Sequence, residues 1–79
     1  MPSYEKFFQD VKEDVKKHLA CYELTDQELD DYLKKEEGQI QGAYEDMIEE
    51  NGEDADMTPE AHYKASVSTI AYCLEMCYE

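Results

Sequence analysis

Four side chains of this 79-residue chain have the chemistry to hold a soft metal ion. His18 and Cys21 are spaced three apart, and Cys73 and Cys77 four apart, so each pair would lie on one side of a helix. If the first and last helices run parallel, the two pairs meet at one end and could hold zinc tetrahedrally. Against this, Cys21 lies about 100° from the centre of its helix's apolar stripe, and cysteine is a routine small core residue. We therefore favour three reduced thiols, with a zinc-stabilised helical module as an alternative.

Other chemical sites have little support in the sequence. The acidic segment 51–58, NGEDADMT, does not fit the calcium-binding loop, because Gly52 at the sixth position puts Met47 first and Thr58 last. The chain has no glycine-rich phosphate loop, no GxSxG and no HExxH, and its two histidines are isolated. We therefore predict a protein that is not an enzyme and uses no cofactor.

The charge is strongly negative and unevenly spread. Acids outnumber lysines 21 to 7, for a net charge of −14, so we expect neither direct binding of nucleic acid nor docking on an anionic membrane. Residues 25–58 hold thirteen acids and two lysines, a net charge of −11. We expect their acidic face either to keep the chain soluble or to bind a protein partner with a basic surface. The residues of this predicted face are Asp26, Asp30, Asp31, Glu37, Glu45, Asp46, Glu49 and Glu50.

Apolar residues recur every three to four positions in three successive stretches, and no stretch alternates as a strand would. Ser3 is suited to cap the first helix, Thr25 and Glu28 form a capping box, and Thr58 precedes Pro59 at a helix start. We predict a single all-α domain over residues 1–79, folded as a three-helix bundle. The predicted helices cover about residues 3–20, 26–50 and 59–77.

The middle helix contains two glycines, each of which would cost about 1 kcal/mol in a helix interior. The apolar phase nevertheless continues across Gly38 and Gly42, so we predict one long helix with room to bend near Gly38. Two helices separated at Gly38 are the alternative. Glu36 falls on the apolar stripe, and we expect it to reach out at the bundle edge or to pair with a tyrosine hydroxyl or a lysine.

The third helix is apolar on two sides, which is typical of a helix buried on two sides. Opposite its main apolar stripe lie Ala61, Ala65, Tyr72 and Met76. We expect these residues to form the interface of a homodimer or higher homo-oligomer. In the alternative, the middle helix bends around the third and covers both of its faces.

Two segments, 65–79 and 29–37, resemble parts of small acidic proteins carried by phages and mobile elements of Gram-positive bacteria. The resemblance implies a bacterial cytoplasmic setting and carries over no functional residue. MPSYEKFFQD also lacks the basic and apolar regions of a signal peptide, which agrees with a cytoplasmic location. Some phage-borne acidic proteins inhibit host defence nucleases, so a nucleic-acid mimic is our alternative to an accessory protein that self-associates and binds a partner.

Overall fold

The computed structural model describes residues 3–50 and 58–78. This part of the chain is all-α, as predicted, and contains no strand. Its helices are α1 (Tyr4–His18), a short 3-10 helix (Ala20–Tyr22), α2 (Asp26–Lys35), α3 (Glu37–Glu50) and α4 (Pro59–Cys77). The prediction of three helices is wrong for these residues, because the predicted middle helix is two helices.

Side chains that cap the first turn define where three of the helices begin. The hydroxyl oxygens of Ser3, Thr25 and Thr58 each accept a hydrogen bond from the backbone N–H three residues later, at 3.2, 3.1 and 3.1 Å. Glu28 completes the capping box by accepting from the Thr25 N–H at 3.1 Å. Pro59 occupies the first turn of α4, where its missing N–H leaves no helical bond unmade. These local signals place the helix starts where the sequence predicts them.

The break between α2 and α3 lies at Glu36, not at Gly38. Glu36 has φ −100° and ψ 17°, and its N–H donates to the Tyr32 carbonyl at 3.1 Å, which closes α2. The Gln39 N–H donates to the Glu36 carbonyl at 3.0 Å as α3 begins. Leu33 and Ile40, on either side of the break, are both fully buried. Because both helices turn their apolar sides to the same core, the periodicity continues across the break and does not reveal it.

Helices α1 and α4 run parallel, as the bundle topology predicts. Near their N-terminal ends, the rings of Phe7 and Tyr63 lie 5.9 Å apart. At the other end, His18 Nδ1 lies 3.3 Å from Glu75 Oε2. The C-terminal ends of the two helices are therefore neighbours.

Helix α2 runs antiparallel to α1, and α3 lies against the N-terminal halves of α1 and α4. Asp26, at the start of α2, pairs with Lys16 near the end of α1 at 3.2 Å. The Tyr44 ring of α3 lies 5.4 Å from that of Phe7. The side chains that fill the centre are Phe7, Val11, Val15, Leu19, Leu29, Leu33, Ile40, Met47, Val67, Ile70, Ala71 and Leu74.

Candidate interaction surfaces

The acidic face predicted for the middle of the chain is divided between α2 and α3. Of its residues, Asp26, Asp31, Glu45, Asp46 and Glu49 are exposed, and Asp30 and Glu37 are half-buried. The Glu50 side chain lies outside the described residues. Exposure alone does not make these carboxylates available, because several already have partners within the chain.

Two acids of α2 form ion pairs with lysines of α1. Asp26 pairs with Lys16 of α1, and Asp30 lies 3.7 Å from Lys12 of α1 and 3.1 Å from Lys34. The hydrogen bond from Lys34, helped by the charge of Lys12, lowers the pKa of the Asp30 carboxyl. Asp26 and Asp30 therefore link α2 to α1 through ion pairs. Residue spacing along α2 alone does not indicate this role.

Two further predicted acids accept hydrogen bonds. Asp31 accepts from Gln27 Nε2 at 2.9 Å, and Glu37 accepts from the Tyr4 hydroxyl at 3.4 Å. Burial and then the nearby Glu37 charge raise the pKa of Tyr4. The N-terminal turn of α3 is thus tied to the start of α1.

Three carboxylates near the C-terminal end of α3 are different. Glu45, Asp46 and Glu49 are exposed, and no described residue forms an ion pair or hydrogen bond with their side chains. Glu49 lies four residues after Glu45 and three after Asp46, so it neighbours both on the helix surface. They also lie toward the C-terminal, negative end of the helix dipole, which repels them and raises the free-energy cost of leaving them without a cationic partner. We call these three residues the α3 patch.

Helix α4 leaves one face uncovered. Ala61, Ala65, Tyr72 and Met76, which we call the α4 stripe, are all exposed, with Tyr72 at 56% and Met76 at 67% of full accessibility. The stripe lies opposite the side on which α4 buries Val67, Ile70, Ala71 and Leu74.

The alternative in which the middle helix covers both faces of α4 is wrong for the described residues. Helix α3 shares the core with α4 and also contacts one flank of it, where His62 Nε2 lies 3.3 Å from the Met47 carbonyl oxygen. The outer face of α4 stays exposed in the described residues. An interface on the α4 stripe stays a prediction.

An open groove of about 950 Å³ separates α1 from the first half of α4. Inside it, the Tyr63 hydroxyl donates to Asp10 Oδ2, which also accepts from Lys6 Nζ at 3.0 Å. The hydrogen bond from Tyr63, with that from Lys6, holds the pKa of Asp10 below its usual value. Burial, and then the bond to Asp10, raise the pKa of Tyr63. Asp10 and Tyr63 are 53 positions apart, so no local pattern in the sequence could have joined them.

The predicted zinc ligands do not form a metal site. Cys21, Cys73 and Cys77 are free and exposed, and the ring nitrogens of His18 face Asp14 and Glu75 at 3.8 and 3.3 Å. Within residues 3–50 and 58–78, no three His, Cys, Asp or Glu side chains are arranged to hold a metal ion. The parallel α1 and α4 do bring their C-terminal ends together, but Cys21 lies beyond α1, in the short 3-10 helix. The zinc hypothesis is therefore not supported.

A cluster of tyrosines fixes the C-terminal end of α4. The Tyr78 ring lies 5.0 Å from the rings of both Tyr22 and Tyr32, in edge-to-face contacts. The Tyr32 hydroxyl donates to the Leu74 carbonyl at 2.8 Å. Glu36, half-buried nearby at the α2–α3 junction, accepts from Gln39 Nε2 at 2.6 Å and not from the tyrosine or lysine we expected.

No protein-family model, curated protein or solved structure matches this chain. Among the helices of the described segments, none combines the length and apolar character needed to cross a lipid bilayer.

Proposed function

We propose that this is a small acidic accessory protein without enzymatic activity, which acts by binding other proteins. It uses the α3 patch for a partner with a basic surface and the α4 stripe for self-association. The observation that carries the proposal is that the described residues expose two surfaces of different character, one of carboxylates that pair with no described residue and one without charged residues. Helices α3 and α4, which carry the two surfaces, contact each other directly, as at His62 and Met47.

The case for a basic partner rests on the difference between α2 and α3. Asp26 and Asp30 already have lysine partners within the chain, whereas Glu45, Asp46 and Glu49 have none among the described residues. Neighbouring carboxylates without cationic partners destabilise the C-terminal end of a helix and make the local potential more negative. A cationic surface relieves that repulsion and is drawn to the patch by the same field.

The nucleic-acid mimic has less support than a partner of this kind. Such a mimic needs a continuous row of available carboxylates, but the helix breaks at Glu36 and Asp26 and Asp30 are held by lysines of α1 and α2. What supports the mimic is the overall charge of −14, which many soluble acidic proteins share.

Binding to a defined cationic probe tests the partner surface. The probe is a fluorescent lysine-rich helical peptide, and the test variant carries Glu45→Gln, Asp46→Asn and Glu49→Gln. A control with the same loss of charge carries Glu5→Gln, Glu13→Gln and Glu60→Gln, which lie on α1 and α4. We expect the α3 variant to bind at least about tenfold more weakly than the control, since a local patch contributes more than distant charge.

The salt dependence of the same measurement gives a second criterion. Binding of the unmodified protein should weaken as the salt concentration rises, because screening acts on exposed charges. If both triple variants lose affinity equally, only net charge matters and the α3 patch is not a recognition surface.

A further inference from the structure

We propose that α4 pairs with α4 of a second copy in an antiparallel arrangement, around a two-fold axis that passes between Ser68 and Thr69. This inference rests on the self-association proposed above and specifies its geometry. Three observations on α4 carry it: the absence of charge along its outer face, the order of small and large residues along the stripe, and the positions of Lys64 and Glu75.

The outer face of α4 offers two copies of a chain with a charge of −14 a contact without opposed carboxylates. The α4 stripe contains no charged residue, and Ser68 and Thr69 between its two halves are exposed and uncharged. Repulsion between like-charged copies is therefore weaker at this face than at the α3 patch. Burying Tyr72 and Met76 there also removes the two most exposed large apolar side chains of the described residues from water.

The order of residues along the stripe favours an antiparallel pair. Ala65 and Tyr72 lie at equal distances, about 5 Å, on either side of the midpoint of the stripe, and Ala61 and Met76 each lie about 11 Å from it. In an antiparallel pair, each large side chain of one copy therefore faces a small one of the other. A parallel pair would set Tyr72 against Tyr72 and Ala65 against Ala65, which crowds one half and leaves gaps in the other.

The charged residues beside the stripe favour the same orientation. Lys64 and Glu75 both lie on the flank of α4 that faces α1. Lys64 lines the groove between the helices and lies 3.5 Å from Glu60, in an ion pair exposed to solvent on both sides. Glu75 lies 3.3 Å from His18. A two-fold axis perpendicular to the helices brings this flank against the same flank of the second copy. Measured along the helix axis, Lys64 of one copy is then offset by only about 3 Å from Glu75 of the second copy.

The antiparallel dimer therefore has two equivalent ion pairs, each between Lys64 of one copy and Glu75 of the other. In a parallel dimer the two-fold axis runs along the helices, so the flank that carries Lys64 and Glu75 would lie beside the opposite flank of the second copy, and neither ion pair would form. Only the antiparallel arrangement gains these pairs. A contact made by one helix about 28 Å long is at the small end of protein interfaces, so we expect a micromolar dissociation constant.

Disulfide trapping tests the orientation directly. The background carries Cys21→Ser, Cys73→Ser and Cys77→Ser, and one exposed residue of α4 is then changed, either Ser68→Cys or Ala61→Cys. On oxidation with diamide, Ser68→Cys should give covalent dimers, because it lies beside the axis. Ala61→Cys should not, because its two copies would lie about 22 Å apart, far beyond disulfide reach. Cross-linking of both variants would mean a parallel pair and would overturn the proposal.

Charge exchange at Lys64 and Glu75 tests the ion pairs in solution. Sedimentation equilibrium should show that Lys64→Glu and Glu75→Lys each weaken the dimer about tenfold, because each places like charges in both pairs. The double variant should return to within about threefold of the original dissociation constant. Lys35→Glu and Glu5→Lys make the same charge changes on α2 and α1, outside both proposed surfaces, and serve as matched controls, with circular dichroism to verify folding.

The outcomes separate the two proposals. A chain that stays monomeric at several hundred micromolar overturns self-association, and the antiparallel pair with it. If the chain dimerises but the double charge variant has a dissociation constant as high as that of the weaker-binding single variant, the antiparallel arrangement is overturned and self-association stands. Binding of the cationic probe to the α3 patch is independent of either result.

Discussion

The hydrogen bond between Tyr63 and Asp10 gives the sharpest test of how α1 and α4 are held together. Tyr63 of α4 donates to the Asp10 carboxylate of α1, and the same carboxylate accepts from Lys6 at 3.0 Å. The Asp10 side chain is 30% exposed, so water only partly replaces a lost donor. Tyr63→Phe removes one hydroxyl and keeps the ring that packs against Phe7 at 5.9 Å.

The expected loss follows from the charged acceptor. Hydrogen bonds to charged groups contribute about 1.5–3 kcal/mol, and the partial exposure of Asp10 reduces the contribution of this bond to about 1–2 kcal/mol. In a domain of this size, 1 kcal/mol corresponds to about 4–8 °C in Tm, so Tyr63→Phe should lower Tm by roughly 5–15 °C. Urea unfolding followed by circular dichroism measures the free-energy difference directly.

The contribution of this bond should depend on pH in a defined way. The folded state lowers the pKa of Asp10 from 3.8, so the stabilisation is present above that value and is lost as the pH falls through the lowered pKa. The folded state raises the pKa of Tyr63 from 10.0, so the stabilisation is present below pH 10.0 and is lost as the pH rises further. The stability difference between the original chain and Tyr63→Phe should therefore be constant between about pH 5 and 9 and shrink on both sides.

Tyr72→Phe provides the matched control. Tyr72 is 56% exposed, and none of the described residues accepts a hydrogen bond from its hydroxyl, so its loss should change the stability of the monomer by less than about 0.5 kcal/mol. If Tyr63→Phe costs no more than Tyr72→Phe at pH 7, the bond to Asp10 does not hold α1 and α4 together and the reasoning fails.

Three further substitutions test the backbone and the core by urea unfolding. Gly42→Ala should stabilise the chain by about 1 kcal/mol, because a Cβ there meets nothing within 4 Å, and a loss would mean that α3 is packed differently. Glu23→Gly should stabilise it by up to about 1 kcal/mol by relieving a left-handed backbone with φ of 54°, and no gain would place Glu23 in another conformation. Leu33→Ala should cost about 2–5 kcal/mol because Leu33 is fully buried, whereas a cost below about 1 kcal/mol would mean that α2 does not face the core.

The division of charge between α2 and α3 bears on how a short chain remains folded while carrying a net charge of −14. The α2 carboxylates Asp26 and Asp30 face Lys16 and Lys12, which reduces repulsion where α1 and α2 meet. The uncompensated acids of the α3 patch lie at the far end of α3 instead. The arrangement separates the charges that help to join the helices from those available to a partner.

Local patterns along the chain predicted local structure well. The capping box of Thr25 and Glu28 and the Thr58–Pro59 pair each depend on residues within one helical turn, so the sequence indicated where α2 and α4 begin. The periodicity of apolar residues likewise identified the helices and the buried side of α4. It did not reveal the break at Glu36, because α2 and α3 present their apolar sides to one core and the phase continues across the break.

The amino-acid sequence by itself determined that this chain is helical and acidic, and that α4 has apolar residues on two sides. Only the tertiary structure decided which acids are held by lysines, that Asp10 and Tyr63 meet, and that α3 leaves the outer face of α4 uncovered. The physical reason is the distance along the chain over which each kind of interaction acts. Capping and periodicity act within a few residues of the chain, whereas the pairing of side chains and the covering of a face depend on how the helices pack, which no local pattern specifies.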